Sequence, residues 1–272
     1  KRISFHIING DYTYEETING TAAGIENNYK LYLKRGRSLN RLLKHIPMMT
    51  MYNDHEVTDN IDGSGEIGLG DGNYLVRDPA LRIWQYYADW ANGPRPQRGP
   101  VRTGIAVLTA DSAILHDAQA DFSRLDFAQV STLHVGSFFK PAERKRPQPV
   151  KRGGRNIGVY HVEKVIDSTH LQLDRPAVQS GKAPYSIGTH HYFDRMIGNC
   201  HFIFLDTRSE RSRFKGPDKA RSPQEFILGE TQRNWFLATA KNTKADFIFV
   251  VSGDPWVIYH SAYHMRGEST ET

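Results

Sequence analysis

The chain has 272 residues, 39% hydrophobic and 24% charged, with a net charge of +5 and a mean hydropathy of −0.56. That apolar content is enough for one large core, or one core with a small inserted module, and it excludes a chain disordered throughout; no apolar run is long enough for a membrane-spanning helix. The one cysteine, Cys200, excludes a disulfide within the chain. The basic balance favours phosphate-bearing ligands, although much of it sits in residues 143–155, which read as a solvated loop.

The chain opens on Lys1-Arg2 without an initiator Met and closes on a polar run, so it reads as an internal piece of a longer protein. Ile3-Ser4-Phe5-His6-Ile7-Ile8 is a short apolar run stopped by Asn9-Gly10, the pattern of a buried strand entering a loop. Tyr29, Leu31, Tyr32, Leu39, Leu42 and Leu43 fall largely at helical spacing, which predicts one or two helices over 26–45, ended by Pro47. A second apolar run, 48–52, leads into a His-containing loop. The Gly- and Asp-rich stretch 61–74 reads as a loop. Pro79 suits the first turn of a helix over 79–90, with Leu81, Trp84, Tyr87 and Ala88 on one face.

Beyond the Pro-, Gly- and Arg-rich stretch 94–100 the texture changes to short strands and turns, with a hairpin turn at Asp167-Ser168. After it, 201–205 reads as a buried strand ending in Asp206-Thr207-Arg208. Ser222-Pro223-Gln224-Glu225 carries a capping-box signature. A helix over 229–241 is expected to bring Trp235 and Phe236 to the core, and 247–251 reads as another buried strand stopped at Ser252-Gly253. Strands alternating with helices predict an α/β chain of the α+β sandwich type, with layers of mixed sheet flanked by helices. The expected division is 1–100 for the first part of the core, 101–188 for a small β-rich insertion, and 189–272 for a C-terminally incomplete second part.

Two loops carry chemistry. A strand feeding Gly10-Asp11 places a carboxylate at the strand's C-terminal end, where α/β sheets build sites. Such a carboxylate can bridge two cations, and Tyr14 can supply a phenolate to a hard trivalent ion. In Asn53-Asp54-His55-Glu56, Asp54 is a hard oxygen donor and His55 can bind a phosphate oxygen or protonate a leaving group. Each segment alone also reads as an Asp turn beside packed side chains. Two such loops, each after a short buried strand, can converge on one site.

Four segments occur together in one order: Gly10-Asp11-Tyr12-Thr13-Tyr14-Glu15, Asn53-Asp54-His55-Glu56-Val57, Leu205-Asp206-Thr207-Arg208-Ser209, and Leu228-Gly229-Glu230-x-Gln232-x-x-Trp235. In this the chain resembles the PhoD-like alkaline phosphatases and phosphodiesterases, of the calcineurin-like metallophosphoesterases, whose Gly-Asp-x-x-Tyr element is shared with purple acid phosphatases. The resemblance spans residue 3 to about 92 and 192 to about 264, and leaves out the β-rich insertion. It implies a layered metallophosphoesterase core that hydrolyses phosphate monoesters and diesters through a metal-bound hydroxide. It also implies Fe(3+) and Ca(2+) as cofactors. Asp11 would bridge the ions, Tyr14 would bind the ferric one and Asp54 the second. His55 and Arg208 would serve the phosphate as catalytic residues, with Asn53, Glu56 and Asn60 supporting the ligands. Arg208 reads equally as a clamp on Asp206 or as part of a structural ion pair.

The sequence also departs from the family. Asn53 stands where an Asp is common, and Tyr52 where a Trp is. A metal motif expected before Lys1 and a late Gly-Asp-x-His are missing; Gly253-Asp254-Pro255-Trp256 lacks the His. The ligand set is therefore expected to be incomplete, with weak metal binding and slow turnover. Two other readings stay open: a phosphoesterase with two divalent ions (Mn, Zn or Mg), and a degenerate phosphatase fold acting as a binding or surface module. His260 and His264 are expected to pack or to lie at a substrate rim rather than to bind metal, the adjacent His190 and His191 to lie on opposite faces, and Cys200 to lie in the core. A phosphate ester is the expected partner. The basic loop has no aromatic interleaving, so no nucleic-acid partner is expected. Family members are often exported, but nothing in the sequence assigns a compartment or an oligomeric state.

Overall fold

The computed structural model describes residues 3–14, 22–57, 77–92, 102–127, 130–136, 139–140, 148–149, 156, 158–209 and 227–254. Strand β1 (His6–Asn9) is followed by helices α1 (Ala22–Arg35) and α2 (Arg37–Leu43), then β2 (Met48–Met51) and α3 (Arg77–Tyr87). Next come β3 (Arg102–Leu108), β4 (Ile114–His116), β5 (Val130–Val135), β6 (Phe139–Lys140), β7 (Gln148–Pro149), β8 (Gly158–Tyr160), β9 (Val162–Val165), β10 (His170–Leu173) and β11 (Gly181–Thr189). The chain returns through β12 (Phe193–Ile197), β13 (Cys200–Leu205), α4 (Gly229–Asn242) and β14 (Phe247–Ser252). The described residues mix helix and sheet, with more strand than helix.

β1 and β2 are apolar runs that pair in parallel, from His6 opposite Met48 to Asn9 opposite Met51. β13 and β14 are likewise parallel, from Cys200 opposite Phe247 to Leu205 opposite Ser252, and β12 lies antiparallel on β13. Parallel pairing puts the C-terminal ends of both partners at the same end of each pair. The Asn9 side-chain amide donates to the Ser252 carbonyl, which joins the end of β1 to the end of β14. Four strand ends therefore meet: Gly10-Asp11, Tyr52-Asn53-Asp54, Asp206 to Ser209, and Gly253-Asp254.

One core lies behind them. Met48, Met51, Tyr52, Trp84, Tyr29, Phe202, Phe204 and Val251 are buried together. Aromatic stacking carries the core into the helical layer, through Tyr12 on Tyr29 (5.7 Å between ring centroids) and Tyr29 on Tyr87 (5.6 Å). The free edge of β2 is satisfied by a side chain. Asn92 accepts from the Thr50 N–H (2.8 Å) and donates to the Thr50 carbonyl (2.6 Å).

Residues 102–189 build a second core, with Leu108, Leu115, Phe122, Leu133, Val135, Tyr185 and Ile187 inside. Their sheet runs β8-β5-β11-β3-β4-β10-β9, with every pairing antiparallel. Its two edge strands, β8 and β9, are separated only by His161. A chain of that length spans a few ångströms, so the sheet curls back on itself into a near-barrel. The Asp167-Ser168 turn joins β9 to β10.

Two expectations are corrected. The stretch 247–251 forms a strand, but Phe247, Ile248, Phe249 and Val250 are exposed and only Val251 is buried. An apolar strand buries its side chains only where another layer covers it, and among the described residues β14 has β13 as its one strand partner. Trp235 and Phe236 lie on α4 but are half-buried, and Trp235 packs on Tyr192 (4.6 Å). The capping-box segment at Ser222 and most of the basic loop lie outside the described residues.

Candidate metal centre

The first loop is wound tightly. Gly10 (φ 81°) and Asp11 (φ 56°) are both left-handed, a conformation that costs little for Gly and is tolerated by Asp. A Cβ added at Gly10 would stand 2.9 Å from the Asn53 amide nitrogen and closer still to the Asn53 Cβ, so Gly10 is what lets the two loops touch. Glu56 locks them together. Its buried carboxylate accepts the N–H groups of Asp11 (3.1 Å), Tyr12 and Asn53 (2.7 Å). Burial pushes its ionisation up to about 7, against the lowering effect of those three donors.

Asp11 and Asp54 face one another across this junction. The carboxyl of Asp11 ionises above its usual range, first because it is buried and next because of the Asp54 charge. One of its oxygens, Oδ1, is buried without a hydrogen-bond partner. The other accepts from the Tyr14 hydroxyl (3.1 Å). Tyr14 is 58% exposed, and its phenol is raised by partial burial and by that bond to Asp11. Its ring lies 4.2 Å from the half-buried His55 ring.

Arg208 enters from the end of β13. Its Nε donates to Asn53 Oδ1 (2.6 Å) and its Nη2 to Asp254 Oδ1 (2.6 Å), with Asp54 Oδ1 3.6 Å away. Its guanidinium therefore does not clamp Asp206. Instead, Asp206 shapes the loop, accepting from Tyr52 Oη (2.7 Å) and from the N–H groups of Arg208 (3.0 Å) and Ser209 (2.9 Å). Gln232 grips the backbone of Asp206 from α4, accepting its N–H and donating to its carbonyl (2.8 Å each). The Leu-Asp-Thr-Arg-Ser and Leu-Gly-x-x-Gln segments are thus one structural unit, whose product is the placement of Arg208.

Asp11, Tyr14, Asn53, Asp54, His55, Glu56 and Arg208 are all brought to this junction, and Asn60, His260 and His264 lie outside the described residues. His191 is buried, edge-on to Tyr52 (5.5 Å), with Nδ1 3.2 Å from Gln85; the neighbouring His190 packs on Tyr192 instead (4.9 Å). Cys200 is half-buried against the first core. Asp254 lies in the Gly-Asp segment that lacks the family's His, and it follows an apolar strand and a glycine just as Asp11 does. Among the described residues no group of three or more His, Cys, Asp or Glu side chains is gathered in the manner of a metal site. Comparison of the chain with protein-family models, with curated proteins and with solved structures gives no match.

Proposed function

We propose that the chain is a metal-dependent phosphoesterase of the PhoD-like kind, with the layered sheets of that class as its core. The observation that carries the reading is the pair Asp11 and Asp54. Two carboxylates from different strand ends face each other, and one buried oxygen of Asp11 has no partner. A cation relieves both the mutual repulsion and the missing bond, so the residues fit one ion. Asp11, Asp54 and the Tyr14 hydroxyl would hold it. When bound, it supplies positive charge to an attacking oxygen and to the phosphoryl group. A hard trivalent ion such as Fe(3+) suits a carboxylate and a phenolate; a divalent Mn, Zn or Mg suits the carboxylates alone.

The chain's own groups do the remaining work. His55, half-buried beside the exposed Tyr14, would hold a proton for the departing oxygen on its imidazole. Glu56 and Gly10 keep the Asp11 and Asp54 loops in contact, so the carboxylates need no rearrangement to receive an ion. A phosphate ester is the proposed substrate.

The test separates binding from turnover. The chain is dialysed against Mn2+ or Fe3+, the bound metal is counted, and hydrolysis of bis-p-nitrophenyl phosphate is followed. The expected result is metal that is lost in a folded Asp11→Asn variant, and slow hydrolysis that needs both the metal and His55. Failure to bind either metal overturns the reading. Metal binding without any hydrolysis favours a binding module on a degenerate phosphatase scaffold. Arg208, held on Asn53 and Asp254 rather than pointing at a substrate, supports that second reading.

A further inference from the structure

We propose that the guanidinium of Arg208 fills the place of a second cation, so that this site takes one metal ion where the related two-metal chemistry needs two. Three oxygen donors converge from two strand ends: Asn53 Oδ1 after β2, Asp54 Oδ1 beside it, and Asp254 Oδ1 after β14. Two carboxylates and an amide oxygen are the hard donors that calcium takes. Here they surround Arg208, at 2.6 Å, 3.6 Å and 2.6 Å.

Burial makes this substitution stable. The side chains of Arg208, Asp54 and Asp254 are 4%, 7% and 9% exposed. Buried carboxylates require a compensating charge, and an arginine provides one that is never deprotonated. Its planar fork reaches Asn53 with Nε and Asp254 with Nη2, so the charge is fixed in place. A calcium ion entering this pocket would meet lone pairs already engaged and a positive charge within a few ångströms. The pocket is also closed by packing. A Cβ at Gly253 would stand 3.0 Å from Asn53 Oδ1, so the amide oxygen is held against the backbone and aimed at Arg208.

Asn53 fits the same account. An aspartate there would add a third carboxylate and favour a further cation, whereas the neutral amide matches a single guanidinium. The Ca(2+) expected from the family resemblance does not fit the pocket as built. The count of one rests on the proposed Asp11 and Asp54 site, but the occupancy by Arg208 is tested by calcium binding alone, without reference to hydrolysis.

The full chain is titrated with Ca2+, and with Tb3+ as a luminescent probe excited through the nearby tyrosines. Wild type is expected to bind one equivalent of Tb3+, and to lose it in Asp11→Asn. Arg208→Met keeps an apolar stem but removes the charge. It is expected to bind a second equivalent and to gain calcium affinity of about tenfold or more. Arg208→Met combined with Asp254→Asn returns to one equivalent, and Arg208→Lys, which keeps the charge, gains none. Two equivalents in wild type, with one lost in Asp254→Asn, overturn the proposal. So does a folded Arg208→Met that gains no site. If Arg208→Met does not fold, the wild-type and Asp254→Asn titrations decide by themselves. Failure of the phosphoesterase reading would show separately, as absent hydrolysis with this binding pattern intact.

Discussion

Glu56 is a carboxylate buried to organise backbone. It gathers the N–H groups of Asp11, Tyr12 and Asn53, and so holds two loops whose sequences lie more than forty residues apart. Glu56→Ala leaves these donors facing no acceptor and is expected to cost about 3 kcal/mol, measured by urea unfolding. Gly10→Ala should cost about 2 kcal/mol through its left-handed φ alone, with more from the collision at Asn53; the same experiment reads it, and metal binding should fall with it. A third residue-scale prediction concerns the near-barrel. Asp117 is pushed up by burial, but the Tyr185 hydroxyl (2.7 Å), the Gln119 N–H (2.9 Å) and Arg102 (3.3 Å) outweigh this and lower its ionisation. A lowered carboxylate stabilises the fold fully above its unfolded value of 3.8, and that stability is lost as the pH falls through its folded value. Thermal melts below pH 4 should therefore show an acid-sensitive component that Asp117→Asn removes. At this scale the sequence displayed the side chains that meet. Glu56 and Asn53 stand beside the expected ligands, whereas the Asp254 segment lacks a histidine. What counted was its position after an apolar strand and a glycine, the same signal that marked Asp11.

Elements explain why these residues meet. Parallel pairing of β1 with β2 and of β13 with β14 places four loops at common ends, and the Asn9 to Ser252 bond joins the two sets. α4 contributes through Gln232, which fixes the loop carrying Arg208. Gln232→Ala should cost about 2 kcal/mol by leaving the buried Asp206 N–H and carbonyl without that partner, read by urea unfolding. β14 is the element where apolar pattern and burial part company. Ile248 and Val250 are 44% and 40% exposed on an edge strand, an arrangement that invites association. Replacing both by lysine should change stability by less than about 1 kcal/mol and should raise the concentration at which the chain stays monomeric, read by light scattering. Helices α1 and α3, by contrast, follow the periodicity of their sequences, with Tyr29, Leu81 and Trp84 buried in the first core, because an amphipathic stripe needs only one covered face.

On the scale of the molecule, the described residues form two cores. The first lies behind the candidate metal centre and the second fills the near-barrel. They communicate at a specific place: His134 of β5 lies with Nε2 3.2 Å from the carbonyl of Ser209, the residue after Arg208. Met51→Ala and Leu133→Ala, one in each core, should each cost about 3 kcal/mol. Calorimetry should show them shifting different parts of the melt, because the two residues lie in separate hydrophobic clusters. Among the described residues no helix is long and apolar enough to cross a membrane.

The sequence by itself determined the short apolar strands, the helical stripes, the short-strand texture of residues 102–189 and which hard oxygen donors stand after strands. These are local properties, set by side-chain period and by donor type. The tertiary structure decided which partners each donor has. It placed Asp11 against Asp54 with an oxygen to spare, and it placed Arg208 among Asn53, Asp54 and Asp254. Whether a buried carboxylate keeps an oxygen without a partner or meets a guanidinium depends on contacts between strand ends as much as two hundred residues apart, and no local pattern records them.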